Sequence, residues 1–187
     1  MKPLKAVIKD GEELIDVVQD TAGRATKKAT KGARRATSGA RREVPKEVRD
    51  KWNRGTAFNR EREPFYRAKG GGNELTLENG KRVDSYVPGR EIVSRKHTQL
   101  GEVQEDTGLG YVRELDSKYS PGEVVKDTPH AREQIGDAAG QPLRGEKILE
   151  VPPQNPDRPI PKSVLDEAEA RDITIRDTNG KVYESDD

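Results

Sequence analysis

The chain has 187 residues, 30% of them apolar, 4% aromatic and 37% charged, with a formal net charge of +1. The length suits one domain with appendages, but so little apolar material cannot pack all of it, so part of the chain is expected to be solvated. The absence of cysteine excludes disulfides, thiolate metal centres and a cysteine-ligated zinc deaminase.

No apolar run approaches a membrane span, and Met1-Lys2-Pro3 leads into no signal-peptide core, so the expected address is the cytosol. The small net charge conceals a split. Residues 1–51 carry 14 Lys/Arg against 8 Asp/Glu, residues 52–97 carry 10 against 6, and residues 98–187 carry 11 against 20. Basic charge thus lies ahead of and within the middle of the chain and acid follows it, an asymmetry that points to contact with nucleic acid, DNA or RNA.

Leu4, Val7, Ile8, Leu14, Ile15 and Val18 recur at helical spacing, so residues 1–22 read as a short amphipathic helix interrupted at Gly11. Its dull reading is an unpaired leader, its sharper one a docking segment. Residues 23–43 read as a disordered basic low-complexity linker. Lys27, Lys28, Lys31, Arg34, Arg35, Arg41 and Arg42 dominate it, and no large apolar side chain is present. Such a tract binds phosphate backbones without sequence preference, or serves only as a spacer.

The folded domain is expected over 44–187. Its first element is a helix carrying Trp52, Phe58, Phe65 and Tyr66 on one side and ending near Pro64, with Glu61 three residues after Phe58. After Gly70-Gly71-Gly72, three short strand-like runs are separated by Glu78-Asn79-Gly80 and Pro88-Gly89. A helix then spans about Val103–Tyr119, with Leu109, Val112 and Leu115 as its apolar side. Residues 120–145, rich in Gly, Pro and charge, read as an irregular excursion. Lys147–Val151 forms a strand stopped by Pro152-Pro153. Ser163–Arg171 forms a helix with Ser163 as N-cap. Ile173–Tyr183 gives a strand, an Asn-Gly turn and a second short strand. The order αβββαβαβ is that of an α+β mixed sheet flanked by helices.

The candidate site lies in the middle strands. If they form a hairpin centred on Gly89, Asp84 stands opposite Ser94 and Lys96 lies one period-2 step further on the same face, while Arg95 and His97 point to the other. A carboxylate and an amine then converge on one patch, and a register slip of one residue separates them. His97 reads as a surface or packing residue. No serine lies in a nucleophile elbow, and Gly70-Gly71-Gly72 has no following Gly-Lys-Ser/Thr, which excludes an α/β-hydrolase and a Walker phosphate loop.

The order of elements, with Glu61, Asp84 and Lys96 at these positions, resembles the PD-(D/E)xK restriction-endonuclease-like superfamily. The phrases NGKRVDSYVPGREIVSRKHTQL, GYVRELDSKYSPG and KILEVPPQN are similar to nuclease domains at the C-termini of bacterial polymorphic toxins, especially actinobacterial ones. The likeness covers about residues 55–183. It implies a nuclease, a metal-dependent hydrolase of DNA or RNA phosphodiesters that uses Mg²⁺ or Mn²⁺. It also implies an immunity protein as partner and delivery into a target cell.

By position it implies catalytic roles for Asp84, Lys96, Glu61 and Ser94, with Asp84, Glu61 and Glu91 as metal ligands. Arg95 would add positive charge toward nucleic acid. Position 94 departs from the pattern, because Ser stands where Asp or Glu is asked for and a hydroxyl is a weak Mg²⁺ ligand beside a carboxylate. Glu91 can take that role only through a strand bulge. The other readings are a non-catalytic nucleic-acid-binding protein on the same scaffold, and an interaction module docked to a larger secretion or phage-like assembly.

Overall fold

Two short runs, 82–87 and 91–95, joined by Pro88-Gly89, give a hairpin within the sheet, and the second run is buried at every position. In the computed structural model, which describes residues 45–185 apart from the side chains of Glu47, Val48, Lys51 and Trp52, β2 (Arg82–Val87) pairs antiparallel with β3 (Glu91–Arg95). The register is Ser85↔Val93, Tyr86↔Ile92, Val87↔Glu91, which centres the turn on Gly89 as its sequence requires. Gly89 has φ +73°, a backbone conformation open to glycine without strain. The expected N-terminal helix and the basic tract at 23–43 lie outside the described residues.

The chain divides into two units, and everything that follows concerns the second, Gly55–Asp187. Its elements are the later part of α1 (Lys46–Ala68), β1 (Gly72–Thr76), β2, β3, α2 (Glu105–Lys118), α3 (Pro129–Ile135), β4 (Glu146–Val151), α4 (Lys162–Glu169), β5 (Ile173–Asp177) and β6 (Val182–Tyr183). The six strands lie side by side in chain order. β1, β2 and β3 run antiparallel, β3, β4 and β5 run parallel, and β6 returns antiparallel. Each parallel junction carries helices in its crossover, as it must. This is the α+β mixed sheet that the sequence implies.

Alternation along the strands sorts the side chains between two layers. Val87, Val93 and Ile148 pack with Tyr66 of α1. Ile92, Leu149, Val151, Ile173 and Ile175 belong to the larger core with Val112 and Leu115 of α2 and Val164 and Ala168 of α4. Burying each of the valine, leucine and isoleucine side chains among them contributes about 1.5–3 kcal/mol.

Three elements differ from the sequence reading. α1 runs through Pro64 to Ala68. Proline removes one intrahelical hydrogen bond, but Tyr66 is fully buried with its hydroxyl donating to Glu150 at 2.6 Å, and that anchor holds the last turn. Phe65 is 40% exposed rather than packed, its ring lying 4.1 Å from the Arg62 guanidinium carbon and 4.5 Å from Lys69 Nζ. The stretch 120–145 contains α3, opened by Thr128, whose hydroxyl accepts from the Ala131 N–H at 3.1 Å, with Pro129 at the first turn. α4 begins at Lys162 with Pro161 before it, and the Ser163 hydroxyl bonds Glu105 of α2 instead of capping.

The glycine run ahead of β1 has a steric cause at Gly71. A Cβ there would stand 2.7 Å from the Tyr86 carbonyl oxygen and 3.0 Å from that of Tyr66. The close approach lets α1 turn directly into the sheet.

Candidate active site

Continuing the β2–β3 register by one residue sets Asp84 across from Ser94. At that point the two strands stop exchanging backbone bonds, and the Arg95 N–H donates to Asp84 Oδ2 at 2.6 Å. The Lys96 N–H bonds the Glu150 carbonyl at 3.0 Å, so β3 stays attached to β4 while it parts from β2. The Asp84 carboxylate fills the mouth of that split.

The α2 side of the split is built by one face of that helix. Lys96 Nζ lies 2.9 Å from Glu114 Oε2 and 5.1 Å from the centre of the Tyr111 ring. The Tyr119 hydroxyl donates to the Arg82 carbonyl at 3.3 Å. Burial, and then the negative charges of Asp84 and Glu114, push the Tyr119 phenol well above the ordinary tyrosine value, against a weaker pull from the Asp84 backbone and the Ser94 hydroxyl. Asp84, Glu114 and Ser94 thus act on the buried Tyr119 phenol, while Lys96 lies against the Tyr111 ring. Ser94 itself is 2% exposed.

Across the ladder from Asp84 stands Glu74, between the pairs Asn73↔Ser85 and Leu75↔Val83. It has φ +53°, uncommon for a non-glycine residue. Both of its oxygens are engaged, Oε1 by Asn59 at 2.9 Å and Oε2 by Arg82 at 2.6 Å. Burial and the charge of Asp84 raise its carboxyl above the ordinary value, against the pull of Arg82 and Arg95.

The other face of β3 carries different chemistry. Glu150 is fully buried and takes hydrogen bonds from Arg62 (3.2 and 3.1 Å), Tyr66 (2.6 Å) and Arg95 (2.7 Å). Burial opposes its ionisation, but Arg62, Arg95 and Tyr66 outweigh that and hold its carboxyl below the ordinary value. Burial and the adjacent Glu150 charge push the Tyr66 phenol up to about 12. Glu91 is bound by Lys69 at 2.8 Å and Arg176 at 3.0 Å, which together overcome its burial and lower its carboxyl.

This geometry separates the residues that the sequence proposes together. Asp84, Ser94 and Lys96 share the α2 side. Glu91 does not join them, because β3 pairs with β4 without a break from Glu91↔Glu146 to Arg95↔Glu150, and no bulge turns it over. Glu61 is exposed on α1, while Asn59 and Arg62 face the sheet.

Arg95, proposed to reach nucleic acid, is 7% exposed and bonded to Glu150 and Ser85, so its charge is neutralised inside the fold. His97 is exposed and meets Phe58 edge-on at 5.1 Å, a packing contact. The basic residues Lys27 to Arg42 lie outside the described residues. Glu114 was not anticipated, and its only sequence signal is a position on the buried side of α2, one residue before Leu115.

Mg²⁺ takes hard oxygens and commonly one or two carboxylates, the rest of its shell being water and substrate phosphate. Asp84, at the mouth of the split, meets that demand, with the neutral Ser94 hydroxyl across from it. No group of three or more His, Asp or Glu among the described residues is arranged to hold a metal ion. A cleft of about 430 Å³ elsewhere, between α4 and β6 and lined by Ile160, Lys162, Leu165 and Tyr183, contains none of the candidate residues. Among the described residues no helix is long and apolar enough to cross a membrane.

Compared with known proteins, the chain matches no family model, no curated protein and no solved structure.

Proposed function

We propose that the chain is a metal-dependent nuclease of the PD-(D/E)xK type, acting as a toxin-like effector on DNA or RNA. The observation that supports the reading is that the β2–β3 register, carried on past Ser85↔Val93, puts Asp84, Ser94 and Lys96 on one side of the sheet, with the Arg95 N–H bound to Asp84. Phosphodiester hydrolysis needs charge neutralised at the scissile phosphate, a water made nucleophilic and a stabilised leaving oxygen. When bound, Mg²⁺ or Mn²⁺ supplies positive charge there and lowers the pKa of water.

The chain's own residues orient the rest. The Arg95 N–H fixes one oxygen of Asp84, leaving the direction of the carboxylate set by the strand rather than by a flexible side chain. Glu114 holds Lys96 at the same patch, where its ammonium faces phosphate or the attacking water. An effector of this kind is expected to be made in the cytoplasm beside an immunity protein and delivered to a target cell. No described helix would retain it in a membrane.

The test is incubation of the purified chain with plasmid DNA and with total RNA, in Mg²⁺ or in EDTA. Cleavage that EDTA, Asp84→Asn and Lys96→Gln each abolish is the expected result. A second reading, binding without cutting, is favoured by Ser94 in place of an acid. Nucleic-acid binding that survives both substitutions but fails on deletion of residues 23–42 would replace the nuclease reading with that one.

A further inference from the structure

Among the described residues two large apolar side chains stand exposed, Phe65 at 40% and Val182 at 42%. The register puts both on one side of the sheet. Val182 is the partner of Arg176 across β5 and β6, and Arg176 is the partner of Glu150 across β4 and β5. Residues directly opposed in a ladder share a face. Glu150 belongs to the face that α1 covers, since Arg62 and Tyr66 of that helix bond it. Arg176 links the two ends: its guanidinium donates to the Tyr66 hydroxyl at 3.3 Å, and the Tyr66 ring meets the Phe65 ring edge-on at 5.1 Å.

The ground between them is basic. Arg62 and Arg95 share Glu150, and Lys69 and Arg176 share Glu91, so four cations stand over two carboxylates. Both carboxyls are held below their ordinary value and the Tyr66 phenol is pushed up to about 12, so two positive charges remain in excess. Glu146, bonded to the Thr174 hydroxyl at the start of β4, offsets one of them at most. An aromatic ring and arginines beside an aliphatic side chain are the makings of an interface hot spot.

Charge and ring geometry choose among occupants. A second copy related by a two-fold axis would lay this basic face on itself. A nucleic-acid strand supplies anions, but its bases stack on bare aromatic faces, and the Phe65 ring already has Arg62 over it at 4.1 Å and Lys69 at 4.5 Å. With its face engaged by cations, the ring offers its edge, where its own charge is positive. We infer that Phe65, Lys69, Arg176 and Val182 form a docking surface for an acidic segment of a partner protein, one that carries apolar side chains among its carboxylates. The surface lies across the sheet from Asp84 and Lys96. A partner seated on it leaves that patch open, and the inference does not depend on the nuclease reading.

The probe is a fluorescein-labelled peptide of alternating glutamate and leucine, titrated with the full chain and read by fluorescence anisotropy. Binding that weakens with added salt is expected. Phe65→Ser and Val182→Ser each weaken it about tenfold or more, on the scale of a lost hot spot, with circular dichroism unchanged because both side chains are exposed. Lys69→Gln weakens it as well. Lys126→Gln removes the same charge beside β1, where its N–H bonds the Thr76 carbonyl, and stays near wild type.

A wild type that does not bind the peptide overturns the inference, as does unchanged affinity in Phe65→Ser and Val182→Ser or an equal loss in Lys126→Gln. A single-stranded oligonucleotide that loses affinity in Phe65→Ser while the peptide does not would assign the face to nucleic acid instead. A dimer in sedimentation that Phe65→Ser dissolves would assign it to a second copy.

Discussion

The two faces of β3 place charged residues within a few ångströms of each other and put them to opposite ends. Toward α1, Arg95 and Glu91 are closed into a network with Arg62, Lys69, Tyr66, Glu150 and Arg176, in which every named carboxylate oxygen meets a donor. Toward α2, Asp84 and Lys96 lie at strands that have parted, beside a partly exposed Glu114. Residues one apart along a strand therefore do different work: the first face ties α1 to the sheet, the second keeps charge at an opening. A buried charged residue is not thereby a functional one, and the alternation of the strand decides which it is.

The largest expected effect breaks the first face. Glu150→Ala leaves Arg95 and Arg62 buried without their carboxylate, a change that typically costs about 3–5 kcal/mol. Urea unfolding followed by circular dichroism reads it directly, and a loss under about 1 kcal/mol would mean that the network ties nothing. The same substitution is expected to lower cleavage only as far as it unfolds the chain. On the second face the pattern reverses. Asp84→Asn keeps an acceptor for the Arg95 N–H and is expected to leave the unfolding midpoint nearly unchanged, while cleavage falls by about 10²–10⁴-fold, the range of a lost group acting directly in chemistry.

Acid separates the faces again. The Glu150 and Glu91 carboxyls are lower in the folded chain than their ordinary value of 4.5. Their contribution is thus fully present above that value and is lost as pH falls through the lower folded value. Glu74 has the opposite sign: its folded value is raised, so its ionisation weakens the fold as pH rises through the interval above 4.5. A stability profile against pH should show a steep acid limb in the wild type that flattens in Glu150→Gln. The smallest effect is expected at Glu61, exposed on α1, where Glu61→Gln should change neither midpoint nor cleavage. A loss of activity there would return Glu61 to the site.

Much of this arrangement is legible in the residues. Pro88-Gly89 and the flanking alternation place Asp84, Ser94 and Lys96 on one side before any coordinates are known, because a hairpin with a fixed turn has a fixed register. The strand at Lys147–Val151 and the Asn-Gly hairpin after Ile173 follow from equally local signals. What local signals do not contain is which helix covers which strand. Glu114 is one more charge in a charged helix until the crossover sets α2 against the parted strands.

Pro64 marks a helix end by its own chemistry, and only the distant Glu150 explains why α1 continues. The cap at Thr128-Pro129 was present in the sequence, but the surrounding glycine, proline and charge masked the short helix it opens. Arg95 was drawn toward nucleic acid by its charge, and its partners come from strands and a helix far away in sequence.

The sheet order has a kinetic consequence. β1, β2 and β3 are neighbours in the chain and can zip together from adjacent turns, whereas joining β3 to β4 must first close the long loop of residues 96–145. Such distant closures slow folding. A newly made chain therefore sets the β2–β3 hairpin, with Asp84 and Ser94, early, and receives the cover of α2 late, once β4 has joined β3.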